Sequence, residues 1–292
     1  EPGNALPSVV AAYEPSLGTF QPADVPMYRG LRAACQAGAR GRRLGVAGTV
    51  RVSYHQYMDA RDNREVARCR AEILAWYDAN RRDLPWRRTR DPYAVLVSEV
   101  MLQQTQVSRV ARIWPAFVER FPDARALAEA PLDDVLAAWS GLGYYGRARR
   151  LHAAAGAIVE EHGGRVPDTA GELRGLPGVG KYTAAAVASI AHGRPEPVLD
   201  ANVVRVVARL LGFRGDAATG PGRRRLAAAA SELLDRDRPG DFNQALMDLG
   251  ATVCTARSPA CDSCPAVALC RAANDGDPEA CPSPGRRAAT VE

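Results

Sequence analysis

The sequence predicts an all-α protein with short connections, and three observations carry that reading. Apolar residues recur at helical spacing from Val66 onward, no period-two run of useful length appears, and short Gly/Pro corners separate the apolar stretches. With 292 residues the chain has room for one large or two modest domains, and 47% apolar against 24% charged residues is enough to bury a core.

Taken in order, residues 1–64 show no sustained period and include the basic run Arg40, Arg42 and Arg43. They read as a poorly structured tail, with a phosphate-binding arm as the alternative. Val66, Cys69, Ile73, Leu74 and Tyr77 then mark a helix ended by Leu84-Pro85-Trp86. The period continues over Tyr93–Val107 and over Val110–Phe121, with Pro115 near the middle of the latter. It returns at Leu132–Ser140, Arg147–Glu161, a helix ending near Leu173, Tyr182–Ala191, Val203–Leu211, Arg225–Leu234 and Phe242–Leu249. Gly141-Leu142-Gly143, Pro177-Gly178, Gly193-Arg194-Pro195 and Pro239-Gly240 supply the corners.

No window holds the roughly 18 uncharged apolar residues of a membrane span, and no charged-then-apolar leader opens the chain. A start at Glu1 rather than Met reads as a processed product, a cloned fragment or an incomplete gene model, and the expected compartment is the cytoplasm. The net charge, 38 − 33 = +5, permits a polyanionic partner without requiring one. Lys181 is the single lysine, so lysine-based covalent chemistry has one candidate.

Two motifs carry chemistry. Leu176-Pro177-Gly178-Val179-Gly180-Lys181-Tyr182-Thr183 joins two helices through a tight hairpin. Its backbone amides at a helix N-terminus suit a phosphate, while an ordinary Pro-Gly corner would look the same. Cys254-x6-Cys261-x2-Cys264-x5-Cys270 places four thiols within 17 residues. Such crowding reads as metal ligation rather than disulfides, by zinc or a 4Fe–4S cluster, and the single short pair favours the cluster.

Two carboxylates stand out. Glu99 shares a helix face with Val95, Leu96, Leu102 and Gln103. Apolar neighbours disfavour its charged form and let it hold a proton near neutrality. Asp200 precedes a helix and is a natural N-cap, which keeps a carboxylate ionised.

Together the hairpin and the cysteines resemble the helix-hairpin-helix DNA glycosylases with an iron–sulfur loop, the endonuclease III superfamily. Within it the chain is similar to the MutY-type adenine DNA glycosylases. Further matching text is Leu84-Pro85-Trp86, Ser98-Glu99-Val100-Met101-Leu102-Gln103-Gln104-Thr105-Gln106-Val107, Gly141-Leu142-Gly143-Tyr144-Tyr145, Val198-Leu199-Asp200-Ala201-Asn202-Val203 and Phe242 to Gly250. The resemblance runs from about Val66 to about Ala273.

It implies base-excision repair of double-stranded DNA, removing adenine mispaired with 8-oxoguanine or guanine. Glu99 would be the acid acting at N7 of adenine and Asp200 the anion stabilising the cationic sugar, with Tyr182 and Asn202 completing the pocket. Tyr182 stands where strand-cleaving relatives carry a lysine nucleophile, which implies a monofunctional enzyme. Gln103 and Tyr144 would enter the duplex, and Gly178, Val179, Gly180 and Lys181 would meet phosphates, as would Arg147 and Arg149 unless these two form an ordinary solvated basic face. Cys254, Cys261, Cys264 and Cys270 would hold the 4Fe–4S cluster, fixing a loop with Arg257 against the DNA.

The implied domains, two helical units with a groove between them, are 66–86 plus 200–275 around the cluster and 87–199 as a six-helix unit, with a flexible tail at 276–292. The expected protein is a monomer on nucleoid DNA. Typical members add a C-terminal domain that helps recognise 8-oxoguanine, which this reading expects the chain to lack; Ala201 also stands where the family often has glycine. A thymine-mismatch glycosylase, a non-catalytic DNA-binding module and a zinc-binding helical regulator are the rivals.

Overall fold

A computed structural model describes residues 63–283, and the expected N-terminal tail, save its last two residues, and most of the expected C-terminal tail lie outside them. Among the described residues the architecture is helical, with one isolated bridge between Asp216 and Ser283 and no sheet. No helix there is long and apolar enough to cross a membrane.

Helix α1 (Asn63–Asn80) buries Cys69, Ile73 and Tyr77 on one stripe, and a 3₁₀ turn at Pro85–Arg87 buries Trp86. Helix α2 (Pro92–Leu102) starts where the Asp91 carboxylate accepts from the Ala94 N–H, with proline in its first turn. It is buried at every residue from Tyr93 to Met101, so it forms the centre of its surroundings rather than a wall.

The apolar period had carried this helix on to Val107. It stops at Leu102 because Gln103 leaves the helical region, at ψ 114°, and Gln104 then turns left-handed, at φ +55°. The Arg147 guanidinium then takes the freed carbonyls of Val100 and Met101, at 3.0 and 2.7 Å. Helix α3 (Val107–Arg120) follows, and Trp114 donates back to the Ala94 carbonyl at 3.2 Å.

Asp123 caps a short helix that the period had missed, α4 (Ala124–Glu129), since six residues are too few to show one. Then come α5 (Leu132–Ala138), α6 (Gly146–His162), α7 (Ala170–Leu173) and α8 (Lys181–Ile190). Next are α9 (Ala201–Leu211), α10 (Gly220–Leu233), α11 (Pro239–Thr252) and α12 (Arg271–Asn274). Helix α10 begins five residues before the expected Arg225, where Thr219 caps the Gly222 N–H and proline fills the first turn.

The buried apolar residues gather into two clusters. One runs from Trp86 to Val198; the other joins α1 to residues from Val203 to Cys281. Met247 of α11 packs against both. Asn243 staples the connection, accepting from the Val198 N–H and donating to Ser189 Oγ and the Glu196 carbonyl, at 3.1, 2.9 and 2.8 Å. Asp248, 1% exposed, holds Arg82 and Arg87 of the segment after α1.

Candidate active site

The fold brings α2, α8 and the start of α9 together. Glu99 of α2 is buried, and one carboxyl oxygen, Oε2, lacks a hydrogen-bond partner. It lines a niche of about 60 Å³ with Trp86, Arg87, Leu102, Tyr182 and Met247. Tyr182 also walls a cavity of about 510 Å³ that includes Lys181, Leu199, Asp200 and Arg223. The two spaces therefore share Tyr182 in their walls, with Glu99 at the first and Asp200 at the second.

Burial pushes the Glu99 acid up to about 7. The Tyr182 hydroxyl and then the Arg87 charge pull it back, while Asp200 adds to the rise. The Tyr182 phenol is driven upward by burial and further by both carboxylates. A carboxyl that holds a proton near neutrality, with an oxygen aimed at no protein group, can donate to a buried base.

Asp200 caps α9: Oδ1 accepts from the Val203 N–H at 2.6 Å, and Oδ2 accepts from Asn202 Nδ2 at 3.1 Å. Asn202 Oδ1 accepts from Arg205 Nη2 at 2.8 Å, and Arg205 donates to the carbonyls of Cys254 at 2.8 Å and Gly250 at 2.6 Å. A Cβ on Gly250 would sit 2.6 Å from the Asn202 Cβ, so the glycine is what lets α11 pass this close to the cap.

At the hairpin, Gly178 has φ +77°, and a Cβ there would meet the Arg150 Cβ at 2.7 Å. Val179 is buried beneath the turn and Lys181 is exposed. Gly180 precedes α8 with no side chain capping it, so the first-turn amides stay open to an outside acceptor.

Two expectations about the DNA-facing residues are corrected. Gln103 does not project: it is half-buried, and its amide donates to Thr183 Oγ1 at 3.2 Å. The exposed neighbour is Gln104, in the left-handed region, whereas the expectation from the sequence fell on Gln103. Tyr144 does project, 63% exposed at φ +50°. Arg147 is not on a basic face but is 4% exposed, its two Nη groups spent on five carbonyls and the Thr105 hydroxyl. Its Nε is buried without a partner, so no donor of this group reaches the surface to meet a phosphate; Arg149 is exposed.

The four thiols of Cys254, Cys261, Cys264 and Cys270 are free and are electrostatic neighbours of one another. Backbone amides donate to sulfur, that of Ala266 to Cys264 and those of Ala272 and Ala273 to Cys270. Among the described residues no three such side chains converge on a point that would seat one ion. Arg209, 2% exposed, donates to Cys254 Sγ at 3.3 Å and to the carbonyls of Thr255, Ala256 and Cys281. None of these partners is a carboxylate, so a group held by ionised thiolates would supply counter-charge to a buried cation. The donor set therefore fits an iron–sulfur cluster.

Comparison with known proteins gives three results. Residues 97–234 match the family described as HhH-GPD superfamily base excision DNA repair protein. Over 229 residues the chain is 48% identical to human adenine DNA glycosylase, covering 75% of this chain but 41% of that one. It thus spans less than half of the human relative's length. Over 209 residues it is 49% identical to the adenine DNA glycosylase of Mycolicibacterium smegmatis, covering 71% of this chain and 70% of the relative. A thermostable thymine-DNA glycosylase superposes with a TM-score of 0.67 at 32% identity, covering 73% of this chain and 98% of that structure.

Proposed function

Because the chain belongs to the HhH-GPD superfamily of base excision DNA repair proteins, we propose that it hydrolyses the N-glycosidic bond of adenine mispaired with 8-oxoguanine or guanine. The observation that carries this reading is Glu99, buried, raised to about 7 and bearing a partnerless oxygen, across one tyrosine from a capped carboxylate.

The steps follow from that arrangement. A base inside a duplex cannot reach Glu99, so the adenine is extruded, at a cost of about a few kcal/mol. The niche beside Glu99 is smaller than a purine, so entry requires its wall to move at Tyr182, which also lines the larger cavity. Glu99 gives its proton to N7, and the base leaves as a neutral group. Asp200, held in place by the α9 amide and Asn202, stabilises the cationic sugar until water adds. Lys181, exposed beside Tyr182 in sequence, takes no covalent part, so the product is an abasic site in an uncut strand.

Cys254, Cys261, Cys264 and Cys270 would hold a 4Fe–4S cluster, whose iron–thiolate bonds when bound cross-link the loop between Cys254 and Cys270. Base excision moves no electrons, so the work of these residues is to fix the loop, with Arg257, near the DNA backbone. The same reading makes the protein a monomer on chromosomal DNA in the cytoplasm, since one lesion needs one pocket.

The test is release of base from duplexes carrying adenine opposite 8-oxoguanine, adenine opposite guanine, and thymine opposite guanine. Adenine release from the first two, with no borohydride-trapped adduct at Lys181, is the expected result. Likeness to a thymine-DNA glycosylase makes T·G the second reading, and activity on T·G alone would replace the first.

A further inference from the structure

We propose that Arg147 is a positioning residue that locks Gln104 and Tyr144 into a single two-pronged element for entering the duplex. The inference rests on the reading of this chain as an enzyme that extrudes a base.

Gln104 and Tyr144 lie on turns 40 residues apart, yet both are exposed non-glycine residues in the left-handed region. Such a backbone persists only where its surroundings impose it. One guanidinium does so at both places. Arg147 Nη1 donates to the Gln103 carbonyl at 2.5 Å and Nη2 to the Gly143 carbonyl at 3.1 Å. Each carbonyl belongs to the peptide plane just before a prong, so holding it anchors one of the two planes that define the φ of Gln104 and of Tyr144.

Nη2 also takes Thr105 Oγ1 and the Leu142 carbonyl, at 2.9 and 3.2 Å, which ties the far side of the first turn to the near side of the second. The guanidinium carbon stands 5.5 Å from the ring centroids of both Trp139 and Tyr144, so the exposed tyrosine rests on a buried cation. Bonds to Val100 and Met101 tie the same group to the end of the helix that carries Glu99. The prongs and the acid are thereby held in one frame.

Lysine at this position would keep the charge, but its point-like ammonium cannot span two turns. Single-turnover adenine release is measured for Arg147→Lys on adenine opposite guanine and on adenine opposite an abasic gap, where extrusion breaks no pair. The expected loss is roughly tenfold to a hundredfold on the paired base and less than about threefold on the unpaired one. Equal losses on both duplexes would overturn the clamp.

If Arg147→Lys does not fold, as judged by circular dichroism, the exposed prongs decide. Gln104→Ala and Tyr144→Ala should each slow release from the A·G pair, and the double variant should be no slower than the worse single one. Independent, multiplying losses would overturn the proposal. A wild-type chain that releases no adenine sinks the function and the clamp together, whereas an active wild type with multiplying losses sinks the clamp alone.

Discussion

The Tyr182 hydroxyl faces the Glu99 carboxyl from the wall between the two cavities, and of the influences that lower that acid it is the largest. Burial raises the acid and the phenol restrains the rise, so Tyr182→Phe should move the Glu99 pKa above its value of about 7. Catalysis needs the protonated form, so the alkaline limb of the rate should shift to higher pH. A single-turnover pH profile checks this, and a limb that stays put or moves down removes Tyr182 from the acid's environment.

Glu99→Gln should abolish adenine release, by about 10²-fold or more, while leaving duplex binding nearly intact. The same change should stabilise the fold in alkali. Folded Glu99 keeps its proton to about pH 7, whereas an unfolded glutamate loses it near ~4.3. The protonated acid's stability contribution is thus complete below the unfolded value and disappears as pH rises through 7. Urea melts at pH 8 should favour the variant by roughly 3 kcal/mol, and that advantage should vanish at pH 4. No gain at pH 8 would mean Glu99 is not buried as an acid.

Asp248 works in the opposite sense. Burial alone would raise it, but hydrogen bonds and charge from Arg87 and Arg82 hold it below the usual carboxylate range. Asp248→Asn leaves two arginines facing a neutral amide and should cost about 3 kcal/mol at pH 7. The depressed acid's contribution is present above the unfolded value of ~3.9 and fades as pH falls through its folded value. Denaturation at pH 7 and in acid measures both, and a deficit that grows in acid would contradict the assignment.

Gly178→Ala should weaken DNA binding about equally on matched and mismatched duplexes. The new Cβ would be strained at φ +77° and would press on Arg150, shifting the turn whose amides are proposed to meet phosphate. Fluorescence anisotropy on the two duplexes distinguishes this from a loss confined to the mismatch, which would place the hairpin at the base instead.

Cys264→Ser should lower iron content and visible charge-transfer absorbance together, and expose the Cys254–Cys270 loop to protease. Full iron retention would take Cys264 out of the ligand set. Zinc in place of iron in the wild type would favour the other cofactor the spacing allows.

Much of this molecule is written locally in its sequence. The spacing of Cys69, Ile73 and Tyr77 marks a buried stripe, Asp91 and Asp200 mark helix starts, and Glu99 among apolar neighbours marks an acid that keeps its proton. Each depends on residues within about one helical turn, where 3.6-residue periodicity and capping act. The tertiary structure alone decided where α2 stops, that Gln104 rather than Gln103 projects, and that Arg147 is buried against backbone carbonyls rather than exposed. It also decided that Asp248 answers two arginines more than 160 positions away. The physical reason is the same in every case. The sign of a φ angle in a polar turn, and the partner of a buried charge, are set by groups that packing brings close and that lie beyond any local pattern.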